Sequence, residues 1–207
     1  TYGGDFARLR QTFSDFIHHL PFYGLAVLCD DDPEISALIG ELARPVKTYG
    51  FGAGADVRAV DVTADCGQSH FVVESADHAP LPITLNLPGR HNVLNALGAI
   101  AVARALDVPD AAIHRALAEF SGISRRFQQL GSLPVLGGEA LLMDDYAHHP
   151  KEIAAVLEAL RSNWPNRRLV IAFQPHRYSR TRDLFEDFAR VLGEADVLLV
   201  SDVYAAG

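Results

Sequence analysis

Two strand–loop–helix units in the second half of the chain constrain its fold more than any other feature. Their loops read Asp144-Asp145-Tyr146-Ala147-His148-His149-Pro150 and Gln174-Pro175-His176-Arg177-Tyr178-Ser179-Arg180-Thr181-Arg182. Each loop follows a short apolar run that reads as a strand, 140–143 and 169–173, and precedes a helical pattern, 151–161 and 183–192. A repeated strand–loop–helix order implies an α/β fold with parallel strands and helical crossovers. Both loops are then expected to leave the carboxyl edge of one sheet, where open α/β sheets bind ligands. His148, His149, His176, Arg177, Arg180 and Arg182 gather in these loops and predict an anionic ligand.

Composition narrows the ligand. The 207 residues carry a net charge of −8, which opposes non-specific nucleic-acid binding because a phosphate backbone requires a basic face. A cationic pocket on an acidic chain instead suits a small anion. No apolar run is long enough to span a bilayer and no signal-peptide pattern opens the chain, so no membrane insertion is expected. Cys29 and Cys66 form no CxxC pair, which fits a reducing cytoplasm. The chain starts at Thr1 and stops at Gly207 just after a strand-like run, leaving a bare sheet edge. It therefore reads as a segment of a longer protein.

Along the chain, Phe6, Leu9, Phe13, Phe16, Ile17 and Leu20 recur at helical spacing and predict a helix over 5–19. A strand follows over 24–29, and Asp31-Asp32-Pro33 opens a second helix reaching about Ala43. The period then changes to short strands at 46–51, 56–62, 70–74 and 82–87. An Ala-rich helix over 90–106, a break at Asp107-Val108-Pro109 and a further helix to Phe120 lead to a linker over 121–126.

The loop Gly50-Phe51-Gly52-Ala53-Gly54 is glycine-rich enough to test as a phosphate cradle. A strand rather than a helix is expected after it, and no Gly-Lys-Ser/Thr is present, so it reads as a hairpin turn. His91 and Asn92 open the Ala-rich helix, where they either cap it or offer donors and acceptors to a base edge. Arg126, in Ser124-Arg125-Arg126-Phe127, is either a solvated linker charge or a guanidinium that reaches polyphosphate. Asp144 and Asp145 either accept from ribose hydroxyls or cap the helix near Pro150. Adjacent His148 and His149 lack an HExxH or Cys cluster, so no metal ligand is assigned. Arg177 and Arg180, three apart on an incipient helix, would share a side and clamp one carboxylate.

Taken together, the stretches 89–95, Arg125-Arg126-Phe127, 144–150, 174–183 and 202–207 resemble the Mur ligase family, as does the opening stretch 1–24. The resemblance implies part of a central ATPase domain over 1–126, followed by part of a Rossmann-like C-terminal ligase domain over 127–207. It implies an ATP-dependent carboxylate–amine ligase of peptidoglycan precursor synthesis in the cytoplasm. ATP would phosphorylate the lactyl carboxylate of UDP-N-acetylmuramate, and the amine of L-alanine would then attack the acyl phosphate. His91 and Asn92 would contact adenine, Arg126 the nucleotide phosphates and Asp145 the ribose. His148, Arg177 and Arg180 would bind the alanine or product carboxylate, with Tyr146 and His176 close by. The family's phosphate loop, activating glutamate and Mg2+-binding residues are absent from these residues, so the segment alone is expected to be inactive. Lys151 stands where the family carries threonine and is expected to weaken the helix cap. Three alternatives remain open: a ligase that attaches a recycled tripeptide, a non-catalytic nucleotide-binding module, and a metal hydrolase using the paired histidines.

Overall fold

The computed structural model describes residues 5–65 and 67–205. Cys66 and the ends of the first and last family-like stretches, 1–4 and 206–207, lie outside the described residues. The chain divides into two compact units. The first comprises Thr1–Thr63, Gln68–Leu85 and His91–Phe120; the second comprises Ala64–Gly67, Asn86–Arg90 and Ser121–Gly207.

In the first unit, helix α1 (Phe6–His18) is capped by Asp5, whose carboxylate accepts from the Arg8 amide at 3.0 Å. Strand β1 (Ala26–Cys29) leads to α2 (Pro33–Ile39), where Asp32 accepts from the Glu34 and Ile35 amides and Pro33 supplies a preset first-turn φ. This helix ends at Gly40, short of the expected Ala43. Strands β2 (Val46–Gly50), β3 (Val57–Asp65), β4 (Gln68–Ser75) and β5 (His78–Leu85) complete a five-stranded sheet in sequential order.

The β1–β2 and β2–β3 ladders are parallel, and β4–β5 is antiparallel. The glycine-rich loop is therefore not the expected hairpin turn, because the strands it joins run in the same direction. Asp31 holds it by accepting from the Phe51 amide at 3.0 Å and the Gly52 amide at 3.3 Å. A strand follows the loop, which removes the helix N-terminus that a phosphate cradle needs.

Alternate residues Val57 and Ala59, Phe71 and Val73, and Ile83 and Leu85 turn inward from the sheet. Helices α3 (Arg90–Ala105) and α4 (Asp110–Glu119) add Val93, Leu97, Ile100 and Ile113 to the buried set. Each large aliphatic side chain so buried contributes about 1.5–3 kcal/mol. A Cβ at Gly98 would sit 3.2 Å from the Tyr49 ring, a contact tight enough that the ring would have to shift by a few tenths of an ångström to admit a side chain there. Buried Arg104 is satisfied by both Asp110 oxygens and by Ser75, and its guanidinium holds the Asp110 carboxyl below the usual carboxylate range.

The second unit begins with an unanticipated strand, β6 (Gln128–Val135), paired antiparallel with β7 (Gly138–Asp144). Gly137 and Gly138 turn this hairpin at φ of 91° and 156°. Helix α5 (Pro150–Asn163), strand β8 (Val170–Phe173), helices α6 (Tyr178–Asp183) and α7 (Phe185–Leu192), and strand β9 (Val197–Val200) follow. The helix expected over 183–192 is α7, starting at Phe185, and a further helix, α6, fills 178–183 of the expected loop. The two are separated at Leu184, whose φ of −118° and ψ of 22° leave the helical region. Strand β8 pairs with β9 in parallel, while β7 belongs to the separate β6–β7 sheet. The expectation of a single sheet beneath both loops is thus corrected. Ile153, Leu157, Phe188, Val191 and Leu192 form the core between the helices, with Ile171 and Phe173 packed against it.

Candidate functional site

The two loops meet even though their strands share no ladder. After β7, the Asp145 carboxylate accepts from the Phe127 and Ala147 amides, each at 2.7 Å. The Tyr146 amide donates to the Arg125 carbonyl at 2.7 Å. These bonds shape the turn that presents Tyr146 and His148. His148 Nδ1 lies 2.9 Å from the Tyr146 carbonyl, which can only accept, so Nδ1 carries a proton and donates to it.

Helix α5 starts immediately afterwards, and its cap is His149 rather than either aspartate. The Lys151 amide donates to His149 Nδ1, and Glu152 accepts from the His148 and His149 amides at 2.9 and 3.1 Å. The cap is complete with Lys151 in place. Burial pushes the Glu152 carboxyl up, but the His148 amide, the nearby His148 ring and the His149 amide outweigh it, and the net shift is downward.

The second loop is pinned by a short parallel bridge. The Arg177 amide donates to the Tyr204 carbonyl, and the Tyr204 amide donates to the Pro175 carbonyl, both at 2.8 Å. Arg177 adopts a left-handed φ of 71° and precedes α6, so the helical spacing rule does not place it beside Arg180. Both arginines nonetheless act on His176. Its ring lies 5.8 Å from that of His148 and 5.3 Å from that of Tyr204, and Arg180 reaches the His148 carbonyl at 3.4 Å. Burial, followed by the charges of Arg180, His148 and Arg177, pushes the His176 imidazole below its usual range.

His148, His176, Arg177 and Arg180 thus converge, with the Tyr146 ring 5.0 Å from that of His148. Such a cluster can hold a carboxylate by forked guanidinium bonds and orient it. Arg126 lines a separate cleft of about 580 Å³ in the same unit, together with Ser124, Phe127, Gln128 and Trp164. His91 and Asn92 sit in the first turn of α3, within the first unit. Arg182 turns away to pair with Asp183 at 2.8 Å. Among the described residues, no group of three or more His, Cys, Asp or Glu is arranged to hold a metal ion.

Three residues at this site were not singled out from the sequence. Tyr204 comes from the end of the chain, where only a family-like stretch hinted at it. Glu152 carries a readable signal, an acidic residue at the third helical position after a capping residue. Arg125 read only as the neighbour of Arg126.

Comparison with known proteins bears on the same elements. Residues 2–103 match the Mur ligase middle domain, and residues 125–205 match the Mur ligase, glutamate ligase domain. The whole chain is 60% identical to a UDP-N-acetylmuramate–L-alanine ligase from Halorhodospira halophila and spans 43% of it. It is 56% identical to the ligase of the same name from Methylibium petroleiphilum, of which it spans 45%. The crystal structure of the UDP-N-acetylmuramate–alanine ligase MurC from Thermotoga maritima superposes with a TM-score of 0.77 at 31% identity, over 98% of this chain and 43% of that one. The chain therefore spans less than half the length of these relatives. With both domain models matched in order, and alignments to these ligases that extend over the whole chain, the chain belongs to the Mur ligase family.

Proposed function

We propose that this chain is part of an ATP-dependent ligase that joins L-alanine to the lactyl carboxylate of UDP-N-acetylmuramate in peptidoglycan precursor synthesis. Residues 1–126 would be the C-terminal part of the central ATP-binding domain and 127–207 the N-terminal part of the Rossmann-like ligase domain. The observation that carries this reading is the convergence of His148, His176, Arg177 and Arg180 from two separate loops. The relatives named for this activity support it.

A bare carboxylate resists amines because oxide is a poor leaving group. Transfer of the γ-phosphoryl group of ATP to the lactyl carboxylate gives an acyl phosphate and ADP. The alanine amine then attacks the acyl carbon, phosphate leaves with the bonding pair, and a proton leaves the nitrogen. Arg177 and Arg180 would hold the alanine carboxylate, with His148, His176 and Tyr146 closing the pocket. Holding the nucleophile in place supplies the positional part of the rate. His91 and Asn92 would meet adenine, Arg126 the phosphates and Asp145 the ribose. Asp145 has already committed one lone pair on each oxygen to a backbone amide, so a ribose hydroxyl would use those remaining. The described residues offer no Mg2+ ligand set, so the metal would be held by residues of the longer protein, and no step here depends on it.

The described residues contain no helix long and apolar enough to cross a membrane. That is compatible with a cytoplasmic enzyme of cell-wall biogenesis serving cell shape and division. The 207-residue segment alone would be inactive. The test is phosphate release from ATP and UDP-N-acetylmuramate by the full-length protein. Release with L-alanine and not with the murein tripeptide is expected. Release with the tripeptide only would assign the recycling reaction, and no release from a folded protein that binds ATP would leave a binding module.

A further inference from the structure

Arg125 joins the linker to the acceptor loop more extensively than a solvated arginine would. Its Nε lies 3.4 Å from Asp144, and its guanidinium sits 4.8 Å from the centre of the Tyr146 ring. Its carbonyl accepts the Tyr146 amide at 2.7 Å, and its own amide donates to Gln128 at 2.8 Å. Two residues further on, the Phe127 amide donates to Asp145. Arg125 and Phe127 both hold left-handed backbone, with φ of 59° and 50°, a conformation that persists in non-glycine residues only where surrounding bonds enforce it. Apart from the Arg125 amide on Gln128, the enforcing bonds named here run to 144–146. From Tyr146 the contacts continue to His148 and from there to His176.

We propose that Arg125 is a positioning residue for the acceptor amino acid: by gripping Asp144 and Tyr146 it sets the Tyr146 ring, and through it His148, at the cationic pocket. Arg125 itself touches no substrate. Its neighbour Arg126 faces the other way in function, towards the cleft, so one dipeptide would serve both ends of the site. The guanidinium is suited to this because it can pair with a carboxylate in its plane while stacking its face on a ring. Lysine can supply the charge but not the planar stack. The role of the acceptor pocket rests on the function proposed above, whereas the placement of His148 does not.

The test uses the full-length protein with Arg125→Ala and Arg125→Lys. Arg125→Ala is expected to raise KM for L-alanine about tenfold while KM for ATP stays within about twofold, the pattern of a displaced acceptor pocket. Arg125→Lys is expected to recover part of that loss. Independently of turnover, the His148 ring-proton resonances are expected to shift in Arg125→Ala, because the Tyr146 ring no longer holds its angle. A rise in KM for ATP alone would make Arg125 a nucleotide contact and overturn the proposal. A lower melting temperature with both KM values and the His148 resonances unchanged would reduce it to a structural brace and overturn it equally. Wild-type protein that does not use L-alanine would sink the functional reading, and the His148 resonances would still decide whether Arg125 positions that ring.

Discussion

His176 is surrounded by cations yet has a buried Nδ1 that finds no hydrogen-bond partner. Protonating that nitrogen would bury an unsatisfied N–H close to Arg177 and Arg180, so burial and charge both favour the neutral ring. The folded value therefore lies below the ordinary one of about 6.5. Between the two values the unfolded chain binds more protons. The stability contributed by neutral His176 is accordingly present above about pH 6.5 and lost as pH falls through the folded value. An NMR titration of the His176 ring is expected to show a midpoint below that of an exposed histidine, and Arg180→Gln is expected to raise it. A wild-type midpoint at or above the ordinary value would refute this account. The sequence identified His176 and both arginines as neighbours, but it could not supply the buried nitrogen, which depends on the ring of Tyr204 and the fold of the loop. Asp145 shows the same limit. Its chemistry as an acceptor was legible, but its backbone partners, Phe127 and Ala147, become known only once the loop is folded.

At the scale of elements, α5 depends on a cap that joins it to the site, since the amides of His148 and His149 both donate to Glu152. The depressed Glu152 carboxyl contributes stability that is present above its ordinary value and lost as pH falls through its folded one. Glu152→Ala is expected to destabilise the protein by about 0.5–1 kcal/mol at neutral pH, the low end for a cap because the side chain is half exposed. Denaturant unfolding of the two proteins should show that gap narrowing below about pH 4. A gap of equal size at pH 7 and below that value would mean that the charge plays no part. Pro150 made the start of this helix legible, and fixing the first helical position at Pro150 makes His149 the cap instead of an aspartate. Strand β6 was harder to read, because Gly131 and Pro134 interrupt its pattern and a bulge between Gln129 and Gly131 shifts its register. Gly137-Gly138 was the available sign of a hairpin. Most helices and strands followed from periodicity, but strand direction and sheet membership did not, since apolar runs specify a strand without naming its neighbour. The β2–β3 connection, expected to be a hairpin, is parallel, and β7 pairs antiparallel with β6.

At the scale of the whole molecule, the two units differ in how completely their sheets are covered. In the first, β4 has hydrogen-bonded neighbours on both sides, and alternate residues such as Phe71 and Val73 are buried. In the second, β9 pairs only with β8 among the described residues, and all four of its residues, Val197 to Val200, are exposed. A two-stranded sheet is marginal without further strands or a covering face, and an apolar edge strand invites pairing. Strand β8 turns residues onto the α5–α7 core, with Phe173 5.6 Å from Phe188. The sequence Val-Leu-Leu-Val is that of a strand buried on both faces, yet all four residues are exposed among the described residues. Amides of β9 are therefore expected to exchange with solvent much faster than those of β4 in the 207-residue chain, since local opening of a one-sided pair breaks few bonds. In the full-length protein the same β9 amides are expected to become protected while β4 changes little. Hydrogen exchange followed by mass spectrometry distinguishes the cases. Slow β9 exchange in the short chain, matching β4, would show that the two-stranded sheet is sufficient by itself. Fast exchange in both proteins would show that nothing in the longer protein covers this strand.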